Sequence, residues 1–527
     1  MIKTLWILLL AVVSPLSAQV MDKQLLQQPG ADWLTYNGSY NTERHSELKQ
    51  ITSKNVNSLV NQWVYHVPGA GALQCVPIVV DGVMYVTQPN EIFALDSRSG
   101  RLIWHYQHIL PHAPDREGPN RGAAAFENKV YFTTTDALLI ALNASNGNVL
   151  WQSKIAEWSE GYHSSAAPLV AKGKVLVGVI YGDRGLNGFL DAFDAKTGDH
   201  LWRFDSVPKP GELHSDSWAG DSWQHGGGAT WLTGSYDPEL GLVYWGIGNP
   251  SPDFNGDGRA GDNLYTDSIV ALDINTGKLK WYFQFTPHDV MDWDGAELPV
   301  LVDAPFDGKM RKLMVQANRN GFLYVLDRTD GKFLFGRPYA RKVTWATGLT
   351  PEGRPIVAPG KEPTPGGTVV CPWLNGATNW YSASWNPQTS LYYVQTNDKC
   401  GIFTRTDEPF QLGHGYMGGS NTGDPADPGR RVLRAFDIHT GKPVWELVQT
   451  GGAGSFGGVL STAGGVVMFG ADDDSFAAAD AKTGKLLWSF PTNAEPHASP
   501  MTYLFDNKQY IAVALGANII AFGLPDD

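Results

Sequence analysis

Seven copies of one eleven-residue pattern run along this chain, and they constrain its architecture more than any other feature. Each copy opens with a small or aliphatic residue and then an aliphatic one. Asp or Asn stands third, Gly four positions on, and Trp four further. The copies are ALDSRSGRLIW to Trp104, ALNASNGNVLW to Trp151, AFDAKTGDHLW to Trp202, ALDINTGKLKW to Trp281, VLDRTDGKFLF to Phe335, AFDIHTGKPVW to Trp445 and AADAKTGKLLW to Trp488. Each reads strand, glycine turn, strand, a hairpin that cannot bury both faces alone. If the closing aromatic docks on the neighbouring repeat, short four-stranded sheets stack radially. The expected fold is all-β, a β-propeller.

The chain ends complete the count. Trp63, in LVNQWVYHV, reads as a closing strand without its opening partner, and YIAVALGANIIAF reads as opening strands without a tryptophan-bearing partner. Pairing the two closes the ring at eight blades. The long gaps before Trp281 and Trp445 hold SYDPELGLVYWG and SWNPQTSLYYVQTN, which read as inner strands of those blades. Residues 1–18, with Lys3, an apolar run from Leu5 to Val13 and small residues up to Ala18, read as a secretory signal too short to span a membrane. Residues 19–527 are expected to form one exported propeller domain. With 59 Gly, 33 Pro and only 18% charged residues, the composition suits a turn-rich globular chain. A net charge of −13 and the lack of any Lys/Arg run argue against nucleic acid as a partner. Of three cysteines, Cys371 and Cys400 could bridge a loop and leave Cys75 free, although spacing alone leaves this open.

Several motifs do not hold. Gly452 to Gly457 matches G-x-G-x-x-G, but strand pattern VLSTAGGVVMFG follows it instead of a helix, which argues against dinucleotide binding. Asp253, Asn255, Asp257 and Gly258 open like a calcium loop, yet its twelfth position is Leu264, so a Gly/Asp-rich turn is the better reading. There is no C-x-x-C-H for covalent haem. What the repeat leaves over is a set of islands between blades: RGAA (121–124), YGDRG (181–185), WQHGGGATW (223–231), GNPSPD (248–253), PHDVMDWDG (287–295) and NRNG (318–321). If locally extended, Asp292 and Asp294 point to the same side. Side by side, they need a cation or a proton between them.

GPNRGAA, DSWQHGGGATW, GNPSPDFNGDGRAGDNLYT, TPHDVMDWD, NRNGFLYVLDRTDGK and GATNW occur here in that order. In this the chain resembles the pyrroloquinoline quinone (PQQ)-dependent alcohol dehydrogenases of the methanol/ethanol dehydrogenase class, from about Trp33 to the C-terminus. The resemblance implies oxidation of a small-molecule alcohol in the periplasm, with PQQ and one metal ion as cofactors. A separate cytochrome c would accept the electrons. It casts Trp231 as the surface on which the quinone stacks and Arg121 as the partner of its carboxylates, with Thr134, Ser165 and Asn379 as further hydrogen-bond partners. Asp183 and Asn249 match metal ligands, Asp292 the catalytic base, and Arg319 the donor to the reactive quinone oxygen. An Asp two residues after the base marks lanthanide-dependent members. Asp294 stands there, so three carboxylates favour a lanthanide over Ca²⁺.

The departures mark a divergent branch. Asp115-Arg116 replaces the family's vicinal cysteines, Asp183 replaces a longer Glu, Gln74 replaces a cofactor-contacting Glu, and Phe456 replaces a Trp over the cofactor. The Gly-Gly-Trp loop is shortened to GANII. Two other functions fit the repeat: a propeller scaffold without cofactor, and a sugar- or polymer-binding propeller. The enzyme reading alone requires Asp183, Asn249, Asp292 and Arg319 to meet.

Overall fold

The computed structural model describes residues 20–111 and 118–526. The expected signal segment and Asp115-Arg116 lie outside them. Eight sheets of four or five strands follow one another along the chain, matching the eight blades expected, and two small sheets are added. Seven of the eight are built on a four-stranded antiparallel meander whose third and fourth strands are the two halves of one eleven-residue repeat, and in one of them His45–Ser46 adds a parallel edge strand beside Val459–Thr462. The eighth is made by Met501–Phe505, Lys508–Leu515 and Asn518–Gly523 with Val60–His66 as its outer strand. The ring is closed by the two ends of the chain, as the sequence suggests.

The register explains the repeat. Its opening small residue stands directly opposite its closing aromatic: Ala94 faces Trp104, Ala192 faces Trp202, Ala271 faces Trp281 and Ala435 faces Trp445. The split eighth copy obeys the same rule, with Ala521 opposite Trp63. Each of the seven repeat glycines then lies under the closing aromatic of the preceding blade. A Cβ at Gly147 would stand 2.7 Å from the Trp104 ring, and one at Gly100 would stand 2.6 Å from that of Trp63. The same relation joins Gly277 to Trp202, Gly441 to Phe335 and Gly484 to Trp445. Several indoles also donate across the joint, Trp104 to the Ala144 carbonyl (2.9 Å) and Trp202 to the Ile274 carbonyl (3.1 Å). The invariant spacing is therefore the geometry of one joint between blades. Burial grades outward: Val83–Gln88 is almost wholly buried, whereas in the outer strand Leu102–Gln107 only Trp104 is.

In such a meander the start of the first strand and the turn between strands two and three share one end of the sheet. The repeat turns occupy the other end. The large excursions, 247–267 and 398–430, both fall on the first of these ends. Thr368–Val370, Gly401–Arg405 and Gly419–Gly423 form a small sheet there, and Cys371 and Cys400 beside it are joined in a disulfide. Cys75 is free and buried.

Candidate active site

Every residue expected to bind cofactor or metal lies at that end. Gln74, Arg121, Ser165, Trp231, Asp292, Asp294, Asn379 and Phe456 each precede the first strand of a blade. Thr134, Asp183, Asn249 and Arg319 lie in turns between second and third strands. Seven blades contribute these residues, and the eighth contributes His497, which precedes Met501–Phe505 and stacks on Phe456 (5.7 Å, 16°).

A flat column forms from four of these blades. Phe456 lies parallel to Trp380 (6.2 Å, 14°), and the Arg121 guanidinium sits 4.9 Å from the Trp380 ring and 4.8 Å from that of Trp231. Arg121 donates to Ser165 Oγ (2.6 Å), while its buried Nε has no partner. Burial lowers the Arg121 pKa to about 10, and the negative charge of Asp294 opposes this. A planar fork with an unused buried donor, between two aromatic faces, suits a flat polycarboxylate. Trp380 was not assigned a role from sequence, although it closes the GATNW motif. Gln74 turns a buried, unpartnered Oε1 into the same end of the ring. Asn379 donates to the Asn375 carbonyl (3.1 Å). The Thr134 hydroxyl donates to Asp136 and accepts from Leu138 N (3.1 Å), so it also closes its own turn.

Beside the column the carboxylates gather. Arg319 donates to Asp294, lies 3.7 Å from Asp292, and donates to the Leu374 carbonyl (2.7 Å). Asp294 also accepts from Asn249 N (3.1 Å) and from the Trp231 indole (3.3 Å), so it ties the aromatic column to the acid cluster. Glycines allow the approach. A Cβ at Gly248 would stand 2.5 Å from Asp294 Oδ1, and one at Gly227 would stand 2.8 Å from the Asn249 carbonyl.

Asp292 and Asp294 do share a side, but not because the segment is extended. Asp292 has φ +58, in the left-handed region. Asp289, one turn earlier, accepts from Met291 N (3.0 Å) and Trp293 N (2.7 Å), and this turn redirects the chain. Trp293 points the other way, fully buried against Trp345 (5.1 Å). Burial holds the Asp292 carboxyl well above the usual range. Arg319 opposes this, and Asp294 and Asp183 reinforce it.

Asp253, Asp267 and Glu297 are likewise buried and raised, in each case first by desolvation. Asp253 and Asp267 have no hydrogen-bond partner on either oxygen. Against this burial Arg259 acts to lower the pKa values of Asp253 and Asp267, and Arg319 that of Asp292. Among the described residues no three acid, His or Cys side chains are already drawn together as a metal-ligand set. Charge and chemistry define the site here: only oxygen donors, more carboxylates than guanidiniums, and orphaned buried oxygens. A hard cation fits all three.

Comparison with known proteins gives the lineage. The family model for the PQQ glucose/ethanol/alcohol dehydrogenase β-propeller domain matches residues 33–343 and 446–511. The chain belongs to this family. Within it, this quinoprotein chain is 38% identical to a quinoprotein alcohol dehydrogenase of Pseudomonas putida over 95% of its own length and 89% of the relative's. It is 34% identical to a lanthanide-dependent methanol dehydrogenase of Methylacidiphilum fumariolicum, over 96% and 88% of the two chains. The solved europium-containing methanol dehydrogenase superposes with a TM-score of 0.88 at 31% identity, over 95% of this chain and 100% of that one.

Proposed function

We propose that this quinoprotein oxidises a small-molecule alcohol with PQQ and one lanthanide ion, in the periplasm, and passes the electrons to a soluble cytochrome c. The observation that carries the reading is Arg319, held between Asp292 and Asp294 (3.7 Å from the first), beside Asn249 and the Trp231–Arg121–Trp380 column. When bound, PQQ with its cation supplies the electrophilic carbonyl that accepts hydride from the carbinol carbon. Asp292 takes the hydroxyl proton. Arg319 opposes the cost of charging that carboxylate in its buried place and offers a donor to developing negative charge. Arg121 and Ser165 orient the cofactor's carboxylates, and Trp231 supports its face. A scaffold or a sugar-binding propeller gives no reason for these residues to meet.

Two findings favour a trivalent ion. Asp294 adds a carboxylate to Asp183 and Asp292, and relatives of this chain are lanthanide- and europium-containing enzymes. The test is reconstitution of metal-free protein with PQQ and either La³⁺ or Ca²⁺, following bound-quinone absorbance and dye-linked alcohol oxidation. Asp292→Ala should keep the quinone and lose turnover by about a hundredfold or more. Unchanged turnover removes Asp292 from the chemistry, and full activity with Ca²⁺ but not La³⁺ removes the lanthanide.

A further inference from the structure

Asp253 ends the GNPSPD island and has only a turn's sequence context. In the structure it is 1% exposed, and neither carboxylate oxygen has a hydrogen-bond partner. An ionised carboxylate in such a place needs a counter-charge.

Its loop is pinned on both sides to the acid cluster. On one side Asn249 N donates to Asp294 (3.1 Å). On the other, the excursion from the sixth blade forms a bridge. Tyr416 N donates to the Asp183 carbonyl (2.7 Å), Ser251 Oγ donates to the Tyr416 carbonyl (3.0 Å), and Phe254 N donates to the Met417 carbonyl (2.8 Å). Residues 251 and 254 are thus fastened across from Asp183, with Asp253 between them. Asp183, Asp292 and Asp294 all act on its charge. Arg259 is the cation that acts on it, and that guanidinium is committed to the Pro252 carbonyl (3.0 Å), Asn263 (2.7 Å) and the Asp289 carbonyl.

We propose that Asp253 is a further carboxylate of the metal centre, offering its unpartnered oxygens to the cation together with Asp183, Asp292 and Asp294, and biasing the site toward a trivalent ion. This rests on the quinoprotein reading above. Coulomb attraction scales with ionic charge, so removing one carboxylate costs a trivalent ion half as much again, on a logarithmic scale, as a divalent one. A loss of about tenfold for Ca²⁺ corresponds to about thirtyfold for a lanthanide.

The test uses full-length, metal-free protein with PQQ, titrated with Tb³⁺ by tryptophan-sensitised luminescence and with Ca²⁺ by competition. Asp253→Asn should weaken both ions and Tb³⁺ the more. The metal-free variant should melt no lower than wild type, because a buried carboxyl without a hydrogen-bond partner is replaced by a neutral group of the same shape, and it should gain less on adding Tb³⁺. Unchanged Tb³⁺ affinity, equal fold-losses for the two ions, or a metal-free variant that melts well below wild type would each overturn the proposal. Wild-type protein that binds neither ion overturns the quinoprotein reading itself.

Discussion

Replacing Gly147 by Ala tests the joint between blades directly. Gly147 has φ +72, and its Cβ would stand 2.7 Å from Cε3 and 3.0 Å from Cδ2 of Trp104. That ring cannot move aside, because it is buried and its indole donates to the Ala144 carbonyl at 2.9 Å. Two costs add. A left-handed alanine costs about 1–2 kcal/mol, and forcing a methyl into a packed joint costs about 1–3 kcal/mol more. Gly173 separates them, since it has φ +69 with no atom within 4 Å of its Cβ. Gly173→Ala should therefore show the backbone cost alone, and Gly147→Ala should be less stable than it by about 1–3 kcal/mol. Urea unfolding followed by tryptophan fluorescence measures both, provided the transition stays cooperative. In a Trp104→Ala background the excess at Gly147 should vanish, which makes the coupling a double-mutant cycle. Equal losses at Gly147 and Gly173 would refute the docking argument.

Other predictions concern the site and the opposite end of the ring. Trp231→Ala should weaken PQQ retention about tenfold or more in equilibrium dialysis, with little change in melting temperature; a large stability loss with PQQ affinity intact would make Trp231 a packing residue only. Glu43 lies buried, accepting from Gln28 (2.7 Å), and burial pushes its carboxyl up from 4.5 to about 7. Its folded form therefore holds the proton more tightly than the unfolded chain does, so stability is lost as pH rises from about 4.5 through 7, by up to about 3 kcal/mol. Glu43→Gln should flatten that part of the pH dependence of melting between pH 5 and 8, and an unchanged slope would count against it.

The architecture was legible because the joint between blades is written in short-range spacing. The Ala94–Trp104 pairing and the Gly147–Trp104 contact both sit at fixed offsets within or between repeats. Site residues announced themselves differently, as polar islands the repeat could not explain, and topology then brought those islands to one end. Less visible were contributions whose meaning depends on distant partners. Trp380 reads as an ordinary motif ending until Arg121 is seen on its face. Asp253 reads as a turn residue until its oxygens are found unpaired. Asp289, which turns the chain so that Asp292 and Asp294 share a side, looks like any acid in an acidic island. The bond from the Thr134 hydroxyl to Asp136 is of the same kind, set by how the turn closes and not announced by the residues themselves.

The closing strand Val60–His66 also sets the order in which the protein can be completed. Its sheet partner is Asn518–Gly523, where Val60 meets Gly523 and His66 meets Asn518. During synthesis the strand is made before the seven blades and its neighbour after them, so the edge it presents stays open until all seven have been made. Seven blades can assemble from contacts near in sequence. The eighth waits on a loop closure that spans the ring, the kind of non-local pairing that slows folding. Until then an unpaired edge with exposed Val60 and Val64 is a template for another chain. Folding yield, and with it the amount of protein able to take up cofactor, should therefore depend on how fast this one late seam forms relative to encounters between unfinished rings.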